Sequence, residues 1–233
     1  MPKKPSKRYQ AALKLVEAGR LYSLAEAAEL IKKLPAPKFN QTVTLSFHMG
    51  VDPKKSDQAI RSTCDLPHGS GRTVRVLVFA KGAAADAARD AGAEFVGFDD
   101  LIKKVVEGFV DFDVAVATPD AMTEVRKLGK QLGPRGLMPN PKTGTVTEDT
   151  AKAVRQVKAG QVAFRLDRNG NIAATIGKAA FSTEQLVDNA TALIDSVVRA
   201  KPSTAKGKYI ESITMAATMT PGVRVDESTF LKA

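Results

Sequence analysis

The chain has 233 residues, 35 of them basic and 25 acidic, with a formal net charge of +10 and a pI near 9.7. That length buries a proper core in one large domain or two smaller ones, and the positive balance points to a polyanion, either nucleic acid or an anionic membrane. No apolar run approaches the roughly 18 residues of a spanning helix and the N-terminus lacks the apolar stretch of a secretory signal, so a cytoplasmic protein is expected.

Residues 6–18 and 23–33 read as helices, the second opened by a capping box of Ser23 with Glu26 and stopped before Pro35. In 41–50, Val43, Leu45, Phe47 and Met49 alternate with Thr42, Thr44, Ser46 and His48, the pattern of a strand buried on one face only. From about residue 72 the pattern changes. Residues 74–80 and 114–117 are short, nearly unbroken apolar runs, separated by helical stretches at 83–91 and 99–107 with a short segment at 94–97 between them. Apolar strands alternating with helices predict a parallel sheet covered on both faces.

A helix near 122–131 follows, and then a loop. Three glycines and three prolines fall between Gly133 and Gly144, which no helix or central strand accommodates. Residues 148–158 are helical again. At Gly160 the first pattern returns: 161–167 places Val162, Phe164 and Leu166 on one face, and Asn169-Gly170 predicts a tight hairpin because both residues tolerate positive φ. Residues 171–177 form the return strand. A helix capped through Ser182 and Gln185 runs to about Arg199, a strand occupies 208–218, and 223–225 adds a short edge.

Neither flank buries much alone, but together they supply a four-stranded sheet and several helices. The expectation is an α+β domain made by both termini, residues 1–70 with 160–233, interrupted by an inserted α/β domain, residues 71–159. The crossings at 66–71 and 158–160 are rich in hinge residues. The flanks hold 21 basic and 13 acidic residues and the insert 14 and 12. A polyanion should therefore touch mainly the flanking domain.

An α/β insert invites a nucleotide cofactor, but the phosphate motifs fail. Gly69-Ser70-Gly71 precedes its strand, the turn after 74–80 offers only Gly82, and Gly177-Lys178 lacks the remainder of a Walker loop. No cofactor is expected. The single cysteine, Cys64, forms no internal disulfide, and with only His48 and His68 besides it, no zinc site is expected. Asp111 and Asp113 read as the solvated start of a strand before a magnesium site. Cys64, Asp65 and His68 lie close in sequence, but a small buried thiol beside a turn is the ordinary reading and no catalysis is expected.

Lys32-Lys33 and Lys103-Lys104 close helices, where positive charge favours the dipole. More telling are Lys38 and Phe39 before the first strand, the Lys54-Lys55 pair, Arg61, Arg165 on the polar face of its strand, Lys178, and Lys206 and Lys208 before the last long strand. Thr218-Met219-Thr220 follows that strand. An aromatic and a methionine beside lysines and small hydroxyls are the parts needed to pack on a base or ribose and hold phosphates and 2′-hydroxyls. The competing assignment places Phe39 and Met219 in the core at strand ends.

The central run Leu132-Gly133-Pro134-Arg135-Gly136-Leu137-Met138-Pro139-Asn140-Pro141-Lys142-Thr143-Gly144, with 39–43, 52–57, 66–69, 111–120 and 205–207, resembles the family of large-subunit ribosomal protein one, the stalk protein beside the tRNA exit site. The similarity covers essentially the whole chain, in order, and is to the bacterial type. It implies a split α+β domain with an inserted Rossmann-like three-layer α/β domain, and binding to a bulged, folded element of large-subunit rRNA. Bacterial members also repress their own operon by binding an mRNA segment that imitates that element, and exit-site tRNA is a further expected partner. No membrane partner is expected, and the free protein should be a monomer.

The family's RNA contacts correspond to Phe39 with Lys38, to Thr42, and to Thr218-Met219. Thr220, followed by Pro221, stands where the family pattern has glycine, which lets RNA approach without a Cβ in the way. Gly222 is the candidate replacement. The Gly133 to Gly144 loop, with Arg135, Lys142 and an expectedly exposed Leu137-Met138 pair, reads as a secondary contact. The reading is a non-enzymatic, rRNA-binding ribosomal protein and translational repressor. The alternative is a nucleotide-dependent enzyme built on the insert.

Overall fold

The computed structural model describes residues 5–205 and 207–230. Two compact units are present, residues 1–71 with 162–233, and residues 72–161. The first holds helices α1 (Lys7–Leu15), α2 (Leu24–Lys33) and α8 (Thr183–Arg199), and strands β1 (Thr42–Met49), β2 (Arg61–Asp65), β6 (Gln161–Arg165), β7 (Asn171–Lys178), β8 (Ile210–Ala217) and β9 (Val223–Val225). The second unit ends one residue into β6. It contains β3 (Val76–Phe79), α3 (Ala83–Asp90), β4 (Phe95–Gly97), α4 (Asp99–Val106), β5 (Val114–Ala117), α5 (Met122–Val125), α6 (Gly129–Leu132) and α7 (Thr150–Ala159).

In the first unit β7, β1, β8 and β9 form an antiparallel sheet in that order. The alternation in β1 decides its faces: Val43, Leu45, Phe47 and Met49 are buried, whereas Thr42, Thr44 and Ser46 are half-buried and His48 is exposed. The buried face lies under α2 and α8, which contribute Ala27, Ile31, Leu186, Leu193 and Ile194 to one core. Capping boxes start both helices: Ser23 and Glu26 exchange bonds at α2, as do Ser182 and Gln185 at α8. Each box satisfies two backbone donors that a helix start otherwise leaves open.

The predicted Asn169-Gly170 hairpin needs correction. β6 pairs with β2, a strand the sequence pattern did not reveal, and just beyond its end the chain meets β7 at a Leu166–Ile172 bridge, closed by the Asp167 N–H bonding the Asn171 carbonyl at 2.8 Å. The fourth place in the main sheet belongs to β9. The physical reason lies in the turn. The Asp167 carboxylate accepts from the N–H groups of Asn169 and Asn171, and only Gly170 has positive φ, so the tight two-residue geometry does not form. Leu166 N–H then bonds the Ile60 carbonyl at 2.9 Å, carrying β6 towards β2.

In the second unit β4, β3 and β5 make a parallel sheet in that order. Val76, Val78 and Val116 face α3 and α7, and Leu77, Phe79 and Ala117 face α4, α5 and α6, so the unit has three layers. Both faces are covered, which explains strands without polar alternation. The helix expected near 122–131 is interrupted by a 3-10 turn at Arg126–Leu128. Together the two units make the mixed α+β and α/β architecture that the sequence pattern predicts.

Candidate nucleic-acid interface

The turn after β8 is tied to the start of β1. Thr42 N–H donates to the Thr218 hydroxyl at 3.2 Å, Thr218 N–H donates to the Thr42 carbonyl at 3.1 Å, and Met219 N–H donates to the Gln41 side-chain oxygen at 2.9 Å. Gln41 is itself buried, so this donor has a fixed acceptor. Lys178, paired with Thr42 across β1 and β7, donates to the Thr42 hydroxyl at 2.8 Å. Phe39 and Met219 emerge at this sheet end with 49% and 50% of their surface exposed, which excludes the core assignment for both. Lys38 is exposed beside Phe39.

Thr220 is used internally. Its hydroxyl accepts from the Ala217 N–H at 2.9 Å and its N–H donates to the Ala217 carbonyl at 3.1 Å, closing a tight turn. Gly222 lies just beyond that turn. A Cβ on it would stand 2.7 Å from Thr214 Cγ2, so its lack of a side chain serves strand packing.

The remaining cations do not gather at this end. Lys54 and Lys55 are exposed beyond Met49, at the other end of β1, roughly 24 Å away along an eight-residue strand. Lys208 is near them, since Gly50 N–H bonds the Tyr209 carbonyl, and it is paired with Glu227 at 2.7 Å. That lysine holds the Glu227 carboxyl below its ordinary pKa. Arg165 is exposed on β6 and Arg61 half-buried at the start of β2. Lys206 lies outside the described residues.

Between the two ends runs the outer face of the sheet, which carries small polar groups. Thr44 lies between Thr175 and Ala216, Ser46 between Ala173 and Thr214, and His48 between Asn171 and Ser212. His48 bridges, with Nδ1 2.7 Å from the Asn171 oxygen and Nε2 3.2 Å from the Glu211 carboxylate. Side chains this short let a backbone approach the sheet closely, and their hydroxyls both donate and accept. The β1 half of this surface was readable from alternation. Ser212, Thr214 and Thr175 join it through strand register, which no local pattern specifies.

The loop of the second unit also differs from expectation. Leu137 and Met138 are half-buried against the core of that unit and are not an exposed pair. The cause is an internal scaffold. Leu137 N–H bonds the Leu132 carbonyl, and the Asn140 carbonyl accepts from both Thr143 and Thr145, around a 3-10 turn at Pro141–Thr143. Only Arg135 and Lys142 of the expected contacts stay exposed.

Among the described residues no group of three or more His, Cys, Asp or Glu is placed to hold a metal ion, and no helix is long and apolar enough to cross a membrane. Cys64 is buried and its thiol is pushed up in pKa by that burial, which disfavours the thiolate a nucleophile requires. His68 instead pairs with Asp188 at 2.9 Å, and its N–H is held by the buried Asn189.

Residues 30–221 match the model of the ribosomal protein L1p/L10e family. The large ribosomal subunit protein uL1 of Thermobifida fusca (strain YX) is 53% identical over 223 residues, covering 96% of this chain and 95% of that protein. With such coverage the similarity spans both units.

Proposed function

This chain belongs to the ribosomal protein L1p/L10e family, and from that premise we propose that its first unit docks on a folded element of large-subunit rRNA through the sheet end marked by Phe39 and Met219. The chain is a structural ribosomal protein of the large subunit, associated with ribosomes in the cytoplasm, and not an enzyme. The observation that carries the interface is the exposure of an aromatic and a methionine on a rigid frame. Phe39 and Met219 project where Thr42 is bonded to both Thr218 and Lys178, and where the Gln41 side chain holds the Met219 N–H. Rigid apolar faces flanked by hydroxyls and cations suit unstacked bases and riboses of folded RNA.

The charge distribution supports the same choice, because the net positive charge lies in the flanks that build this unit. We further propose that the bound protein forms the mobile stalk contacting exit-site tRNA, and that the same surface binds its own operon's mRNA and represses translation. One surface serves both RNAs where they present the same folded element. A filter-binding titration with a stalk-base rRNA fragment and with the operon's leader RNA tests this. Mutually exclusive binding of the two RNAs is expected. Simultaneous binding, or loss of neither on replacing Phe39, would reject a shared site.

A further inference from the structure

The second unit contains a crevice of about 270 Å³ at the carboxyl ends of its parallel strands. Lys81 and Ala84 follow β3, Phe98 follows β4, and Thr118, Asp120 and Glu148 complete the wall. Its position follows from topology. β3 and β5 are adjacent, yet α3 leaves β3 to pack on the Val76 and Val78 face, whereas α5 leaves β5 to pack on the Leu77 and Phe79 face. Chain segments departing to opposite faces open a gap between neighbouring strand ends. In open α/β sheets that gap is where ligands bind.

Of the polar groups around it, the Thr118 hydroxyl accepts from the Ala121 N–H, and the two carboxylates are free of ion pairs among the described residues. Several carboxylates of this unit are held by cations: Asp113 by Arg72 and Arg75, Asp86 by Arg89, Glu124 by Lys127 and Glu94 by Lys158. Among the described residues the Asp120 and Glu148 carboxylates have no such partner, although Lys81 shares their crevice. Lys81 lies over the Phe98 ring instead, 3.9 Å from its centre. The start of α3 has no side-chain cap, and Gly82 leaves open space where a Cβ would be.

We propose that this crevice binds one ribonucleoside 5′-monophosphate unit, either a free nucleotide or an unstacked residue of an RNA strand. A carboxylate accepts from both hydroxyls of a ribose, the role assigned here to Asp120 and Glu148. Lys81 and the α3 N–H groups face the phosphate, and Phe98 with Pro119 gives the base an apolar wall. The volume, just below the roughly 300–1,000 Å³ usual for small-ligand pockets, suits a single nucleotide unit. This accords with a turn that has one glycine where a dinucleotide fingerprint needs three. Two carboxylates against one lysine make the affinity modest, with a Kd on the order of 0.1–1 mM.

The test uses the full chain labelled with ¹⁵N, titrated with 5′-AMP, with 2′,3′-dideoxy-AMP and with a 5′-phosphorylated trinucleotide. Saturable shifts at the amides of 81–84 and 118–121 are expected with AMP. About fivefold or greater weakening should follow from Asp120→Asn, Glu148→Gln or removal of the sugar hydroxyls. Lys81→Gln should weaken AMP more than adenosine. All three residues are exposed, and an unchanged thermal midpoint confirms intact variants. Equal occupancy by the trinucleotide identifies the ligand as an RNA residue, and occupancy by AMP alone identifies a free nucleotide; both support the site. No shift at about 10 mM AMP, shifts confined to the Phe39 and Met219 region, or indifference to the carboxylate variants and the dideoxy analogue overturns it.

Discussion

Thr42 and Thr218 hold each other through three bonds: Thr42 N–H to the Thr218 hydroxyl, and the Thr218 N–H and hydroxyl to the Thr42 carbonyl, at 3.2, 3.1 and 3.3 Å. Residues 176 positions apart thereby become one rigid end of a sheet. Rigidity matters for binding because side chains already fixed lose less entropy when a ligand arrives.

The first prediction follows from what projects from that end. Phe39→Ala or Met219→Ala should cost about 1–3 kcal/mol of RNA affinity, the usual worth of a stacking side chain. Half of each residue's surface is already in water, so the thermal midpoint should hardly move. Filter binding and a melting curve on the same samples check both halves. A large fall in midpoint with affinity preserved would reverse the assignment.

Cations at the two ends of the sheet can be told apart. If the RNA covers the outer face from Lys178 to Lys54, replacing either by Gln should weaken binding and reduce the slope of log affinity against log salt by about 1. Lys178→Gln also removes a bond to the Thr42 hydroxyl, so it should cost more than Lys54→Gln. An unchanged slope for Lys54→Gln confines the footprint to the Phe39 end.

Much of this was legible in the sequence because the signals were local. The alternation of Thr42 to Met49 fixed one buried and one polar face, and the capping boxes at Ser23 and Ser182 fixed two helix starts within a residue. What was not legible depended on contacts between distant segments. β2 has no distinctive pattern and exists because β6 pairs with it. Leu137 and Met138 lie among glycines and prolines, so only the Asn140-centred bonding scaffold reveals that they turn inward. The Lys54 and Phe39 groups looked like one basic site on paper, and strand length separates them.

Gly222 allows packing and RNA approach to be distinguished. Gly222→Ala places a Cβ 2.7 Å from Thr214 Cγ2, and such overpacking costs roughly 1–3 kcal/mol of stability. The double variant with Thr214→Ala removes the obstructing methyl and should recover most of the loss. Weakened RNA binding at an unchanged midpoint would instead make Gly222 a point of RNA approach.

Acid should loosen the start of the second unit. Asp113 accepts the Arg75 N–H at 3.1 Å and pairs with Arg72, and these hold its carboxyl below the ordinary value, the backbone bond first. A carboxylate depressed in the folded state stabilises it above the unfolded pKa, about 3.9, and that contribution disappears as pH falls through the folded value. Asp113→Asn should therefore lower the midpoint at neutral pH, and the gap from the natural chain should close below about pH 4. A gap constant with pH would mean that the charge contributes nothing.

The division of labour between the units gives the last prediction. The Gly133 to Gly144 loop is held by its own bonds and by Leu137 and Met138 turned into its unit, and its exposed cations are Arg135 and Lys142. Two charges in a segment of nearly balanced sign add little to the electrostatic attraction that anchors a protein to folded RNA. Primary recognition should survive without that unit. A variant lacking residues 72–158, its flanks joined by a short Gly-Ser linker, keeps the four-stranded sheet, both capped helices and the whole Phe39 end. It should bind the rRNA element within about tenfold of the full chain, roughly 1.4 kcal/mol, and dissociate faster. If it folds by circular dichroism and does not bind, the loop and its unit are primary readers of the RNA, and the sheet end is a support for them.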